Sequence, residues 1–160
     1  MSRRADALAK RLEQGADALA AFAATLNDAE WNTPVPRDGR TVGVCVHHVA
    51  DIYPLEMHLA GALASGQAIE GVTWGAVAEV NAKHAKENAK ANKAAAIDLL
   101  KKNSREASKT IRGYSDEQLD QAAPVSLYFD APMTLQFWLE DHPVRHSFHH
   151  LGRIKGALGR

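Results

Sequence analysis

The sequence predicts an all-α protein, a four-helix bundle in one domain spanning residues 1–160. Two observations carry the class. Apolar residues recur at three- and four-residue steps through four main segments, the period of a helix with one buried face. No stretch of convincing length alternates apolar and polar residues as a half-buried strand would. The length agrees, because 160 residues suit one domain. A core of that size buries roughly 70% of the unfolded surface without needing a disulfide or metal staple.

The first helix lies in "SRRADALAKRLEQGADALAAFAATL", where Ala5, Leu8, Leu12, Leu19, Phe22 and Leu26 form one stripe. Ser2 suits its N-cap. Two prolines and a glycine in "NDAEWNTPVPRDGR" mark a loop. The second helix starts behind Thr41 and closes at Gly66, with Val44, Val49, Ile52, Leu55, Leu59 and Leu63 at helical spacing. Pro54 lies inside it and is expected to bend the axis, because it removes one backbone bond. "QAIEGVT" leads to a third helix, read as one long alanine- and lysine-rich rod from Trp74 to Gly113. Its stripe is thin: Val77, Val80, Ala85, Ala95, Leu99 and Ile111. "SDEQLDQA" has the serine and acid of a short helix start. "APVSLYFDAPM" reads as a loop or short extended piece. The last helix starts at Thr134, with a kink expected between Trp138 and Pro143.

Composition narrows the partners. Nineteen basic residues balance nineteen acidic ones, so the chain lacks the basic face of a nucleic-acid binder and the polybasic patch of a membrane binder. No apolar run approaches the length of a bilayer span. The twin arginines near the N-terminus precede no apolar run, so no export signal is expected. The one cysteine, Cys45, cannot make an internal disulfide, which fits a reducing, cytoplasmic setting. The expected partner is a small molecule, with neither nucleic acid nor membrane.

Histidine carries the chemistry. Of eight histidines, four fall in "HPVRHSFHHLGRIKG". His146 and His150 are four apart, so they share one helix face and can aim two imidazoles at one point. A metal site needs at least a third ligand. "VHHVAD" on the second helix supplies it. His47 and His48 point about 100° apart, so only one faces the core. His48 shares the inward stripe with Val44, Cys45 and Ile52 and is the chosen ligand. Asp51 is expected on the same face, either orienting a ligand histidine or completing the shell. Three neutral imidazoles leave a metal position open, as catalytic sites do. Zinc and nickel both suit imidazole. The plainer alternative is that such pairs arise by chance in a histidine-rich chain. His58 and His84 read as solvated or hydrogen-bonded, His149 as rotated away from the pair, and His142 as a possible wall of the pocket.

Three stretches carry a resemblance to a known family. They are "LNDAEWNTPVPRDGRTVGVCVHHVADIY", "YSDEQLDQAAPV" and "PMTLQFWLEDHPVRHSFHHLGRI", in that order over about residues 8–158. The chain resembles the DinB/YfiT-like metalloenzymes, four-helix bundles with a three-histidine metal site. By position, the family's ligands fall on His48, His146 and His150. The resemblance also implies a long crossover connection, which fits the segment before Thr134, and a homodimer. It implies use of a low-molecular-weight thiol such as mycothiol, bacillithiol or glutathione. Arg153 departs from the small polar residue or glutamine common at its position. Pro54 and Pro143 are not general features of the family either.

Other residues have both functional and plain readings. Cys45 reads as a small core residue rather than a nucleophile. Trp31 and Trp74 read as core. Trp138 is the tryptophan most suited to a pocket wall, and Tyr128 and Asp130 are placed to overhang the bundle mouth. Arg145 and Arg153 suit either an anionic substrate group or solvent. The expected function is a divalent-metal enzyme that transfers a thiol to a small electrophile. The alternatives are a metal-dependent hydrolase and a non-catalytic metal- or ligand-binding stress-response bundle.

Overall fold

Side-chain caps set the helix boundaries. A computed structural model describes residues 2–160. Helix α1 (Arg3–Ala24) begins behind Ser2, whose hydroxyl accepts from the Ala5 N–H at 3.0 Å. A short α2 (Asp28–Trp31) lies in the expected loop, where Asn27 and Glu30 form a capping box. Helix α3 (Val42–Ala64) starts behind Thr41, and Pro54 sits inside it without ending it. Its C-terminus closes on Gly66, at φ +72°, with the Gln67 N–H bonded to the Ala62 carbonyl at 2.9 Å. Only glycine adopts that backbone without strain.

The rod expected from Trp74 to Gly113 is two helices, α4 (Trp74–Glu87) and α5 (Lys93–Arg112). Asn88 ends the first, and the Asn92 side chain caps the second by accepting from the Ala95 N–H at 3.0 Å. Asparagine competes with helical backbone bonds, and two of them four residues apart outweigh the local alanines. The stripe holds at Ile111 in α5 but fails at Val80, which is exposed, and His84 is the buried residue of α4; Trp74, expected in the core, is exposed as well. This helix lies outside the bundle, against α3.

Next come α6 (Asp116–Asp120) and a hairpin of β1 (Ala122–Val125) and β2 (Ala131–Thr134). The hairpin is antiparallel, pairing Ala122 with Thr134 and Val125 with Ala131. Ile69, between α3 and α4, is tied to it by bonds to Pro124 and Ser126 at 2.9 Å each. The last bundle helix is α7 (Leu135–Leu139), a π-helical turn over Glu140–Val144 that contains Pro143, and α8 (Arg145–Leu158). The expected kink is this π turn. Pro143 has no N–H for the α-helical ladder, and a wider turn accommodates the loss.

The bundle is formed by α1, α3, α5 and the α7–α8 helix. Helix α1 packs on α5 and α8, and α3 packs on the same two. Helices α1 and α3 therefore sit at opposite corners. The connection from α5 to α7, with α6 and the hairpin, crosses the other diagonal. Leu8, Leu12, Leu19, Tyr53, Leu63, Leu100, Ile111, Leu139 and Ile154 fill the centre. Burying each such aliphatic side chain stabilises by about 1.5–3 kcal/mol. Among the described residues, no helix is long and apolar enough to cross a membrane.

Candidate metal centre

Helices α3 and α8 face each other across one side of the bundle, and the histidines meet there. His48 on α3 and His150 on α8 are buried, His146 is partly buried, and all three line one cavity. His48 Nε2 is 3.2 Å from His146 Nε2. One ring nitrogen from each of His48, His146 and His150 falls within 4.8 Å of the others. Ligands at about 2.0–2.1 Å around a tetrahedral zinc stand roughly 3.3–3.4 Å apart, so the spacing suits a shared ion.

The protonation pattern suits a cation as well. Burial lowers the His48 pKa to about 2, with a further contribution from His146. Burial, His146 and His48 likewise lower that of His150. Both rings are therefore neutral and offer lone pairs. Glu56 on α3 accepts from His146 Nδ1 at 2.8 Å. That bond puts a proton on Nδ1 and leaves Nε2 free to ligate. His150 Nδ1 is buried without a partner.

Asp51 is placed elsewhere. Its side chain is 58% exposed, and its carboxylate is 3.9 Å from His84 Nε2, not beside the three histidines. At about 100° per residue, Asp51 lies about 60° to one side of His48, toward His47, whereas Glu56 lies about 80° to the other. The α8 histidines are on the Glu56 side. His84 and His47 bond to each other at 2.9 Å.

Behind His150, Asp38 is held by Arg40 and by Arg153, whose Nη1 donates to Asp38 Oδ2 at 2.9 Å. Burial alone would raise the Asp38 pKa, but the Arg40 hydrogen bonds and both guanidinium charges hold it below its usual value. Cys45 Sγ lies 3.9 Å from Asp38 Oδ1. Burial, with Asp38 nearby, pushes its pKa up to about 12, so it is a protonated core thiol at neutral pH.

A cavity of about 330 Å³ opens over the three histidines. Its walls are largely apolar, with Ile52, Leu59, Val77 and Trp138 among them, and α4 contributes one side. Trp138, His142 and Arg153 line it, and Tyr128 does not. The Arg153 guanidinium is occupied by Asp38 and by the Pro36 carbonyl at 3.0 Å. Tyr128 stands behind His142, 2.8 Å from its Nε2. Trp74 also lines the cavity, on its open side.

Fold and site together define an all-α bundle with a histidine cluster at the base of an apolar cavity. The DinB superfamily profile matches residues 11–154, and the chain belongs to that family. Among solved structures it is similar to YfiT from Bacillus subtilis, described as a probable metal-dependent hydrolase with an unusual four-helix bundle topology. The two share 21% identity at a TM-score of 0.77, over 98% of this chain and 87% of that one. No curated protein sequence matches the chain.

Proposed function

We propose that this protein is a divalent-metal-dependent enzyme in which His48, His146 and His150 hold the ion. Its cavity would bring an exogenous nucleophile onto a small electrophile. The observation that supports it is the donor set: three imidazoles from two helices converge beneath an apolar cavity. With three protein ligands, a position stays open, as in catalytic rather than structural sites. When bound, a divalent cation supplies Lewis acidity that lowers the pKa of a water or thiol it polarises.

The chain's own residues do the rest. Glu56 fixes the His146 ring, and the apolar walls exclude bulk water from the electrophile. Cys45 is protonated and buried, so the nucleophile comes from outside the chain. The cavity volume lies at the lower end of the range of small-molecule sites, which suits a small electrophile met by the thiol end of a low-molecular-weight cofactor. Thiol S-transfer is therefore the first reading. Hydrolysis is the second, favoured by the likeness to YfiT, a probable metal-dependent hydrolase.

Zinc- or nickel-loaded protein should be assayed with 1-chloro-2,4-dinitrobenzene plus glutathione, mycothiol or bacillithiol, and separately with p-nitrophenyl acetate. Thiol-dependent turnover that disappears in His146→Ala supports S-transfer. Ester cleavage alone supports hydrolysis. Metal binding with neither activity leaves a non-catalytic metal-binding bundle and overturns the enzyme reading.

A further inference from the structure

Beside the histidine cluster lies a second polar chain: Arg145, Asp141, Tyr128 and His142. Arg145 Nε donates to the Asp141 carbonyl at 2.9 Å and lies 3.2 Å from its Oδ1. Tyr128, from the hairpin turn, donates its hydroxyl proton to Asp141 Oδ2 at 2.5 Å. The same phenol oxygen is 2.8 Å from His142 Nε2. The π turn puts Asp141 and His142 into this arrangement, next to Pro143.

Proton counting fixes the His142 tautomer. A tyrosine hydroxyl has one proton, and a carboxylate only accepts. Were that proton turned toward His142, the phenol oxygen and Asp141 would oppose lone pair to lone pair at 2.5 Å. The proton therefore belongs to the Asp141 bond, and the phenol oxygen accepts from His142 Nε2–H. Burial and the Asp141 bond raise the Tyr128 pKa, which keeps the proton in place. The imidazole lone pair must then be on Nδ1. Nδ1 makes no hydrogen bond with the described residues, the His142 side chain is 18% exposed, and the ring lines the cavity. Stacking on Trp138, with centroids 4.0 Å apart, holds the ring plane.

We propose that His142 is the cavity's proton-transfer residue, with its Nδ1 lone pair held available by the Arg145–Asp141–Tyr128 chain. This rests on the enzyme reading above. The nucleophile's O–H or S–H bond breaks as an N–H bond forms on Nδ1. The freed electron pair makes the new bond to the electrophile. The leaving group departs with its own pair and recovers the proton from Nδ1. The transient imidazolium charge is met through Tyr128 by the Asp141 carboxylate. Burial lowers the His142 pKa, so the ring begins neutral.

The test has a spectroscopic arm and a kinetic arm. Long-range 1H–15N correlation on 15N-labelled protein, metal-free and zinc-loaded, should show His142 protonated at Nε2 and unprotonated at Nδ1. In Asp141→Asn the amide oxygen takes the place of Oδ1, 3.2 Å from Arg145 Nε, so the NH2 faces the phenol oxygen, the hydroxyl turns to His142, and the tautomer should switch to Nδ1–H. Tyr128→Phe removes the acceptor and should admit both tautomers. A wild-type proton on Nδ1, or no switch in Asp141→Asn, overturns the proposal. In the kinetic arm, His142→Gln should lower zinc-dependent turnover of p-nitrophenyl acetate by about a hundredfold or more. Zinc affinity should stay unchanged, and an undiminished rate overturns the proposal. If wild type binds zinc without turning over the ester or the thiol substrates, the enzyme reading fails, and His142 loses its role even where its tautomer is as predicted.

Discussion

Glu56→Gln keeps the shape of a buried side chain and removes its charge. Glu56 is 5% exposed, and its Oε1 lies 2.8 Å from His146 Nδ1. As a carboxylate it only accepts, so it compels a proton onto Nδ1 and a lone pair onto Nε2. A glutamine amide can turn either its oxygen or its NH2 to the ring, and the compulsion is lost. The charge-assisted bond, roughly twice as strong as a neutral one, is lost with it. Removing such a partner of a ligand histidine typically lowers metal affinity 10–100-fold, about 1.4–2.7 kcal/mol. Chelator-competed zinc titration of metal-free wild type, Glu56→Gln and Asp51→Asn measures this directly. Glu56→Gln should bind about 10–100-fold more weakly. Asp51→Asn should match wild type, because its carboxylate is exposed and beside His84. Equal affinity for Glu56→Gln, or loss in Asp51→Asn instead, refutes the reasoning.

Metal-free protein should lose stability in mild acid. His48, lowered to about 2, and His150, also lowered, stay neutral when folded, while the unfolded chain protonates them near pH 6.5. The unfolded state then binds more protons, so stability falls as pH drops, approaching about 1.4 kcal/mol per pH unit for each histidine below roughly pH 6. Urea unfolding at a series of pH values checks it, and an unchanged midpoint refutes it. Gly43→Ala places a methyl group against the Trp31 indole, whose Nε1 donates to the Ala91 carbonyl at 2.8 Å. A loss of about 1–3 kcal/mol is expected by denaturant titration. Asn92→Ala removes the α5 cap and should cost about 1 kcal/mol in the same measurement.

The sequence makes the histidine cluster legible because its signals are periodic. His146 and His150 share a helix face by spacing alone, and the apolar stripe of α3 selects His48 over His47. Glu56 is harder to see, since eight residues on a helix bring it near His48 only when the direction of α8 is known. Asp51 is nearer in sequence but turns the other way. The split of the expected rod depends on Asn88 and Asn92, whose capping bonds outweigh helix propensity at just two positions. The hairpin escapes the period rule because its strands are four residues each and pair Pro124 with Pro132. Its turn also needs left-handed backbone at Phe129 and Asp130, φ 58° and 60°; aspartate favours that region, but phenylalanine does not announce it. The Tyr128–Asp141–His142 chain needs both that turn and the π turn at Pro143. Neither has a local sequence pattern.

Crystals of the zinc-loaded protein, with data collected on both sides of the zinc absorption edge, test the central claim most directly. One anomalous peak should lie about 2.0–2.1 Å from a nitrogen of each of His48, His146 and His150. Ordered zinc held elsewhere, for example between His47 and His84, with none among those three rings, would contradict it.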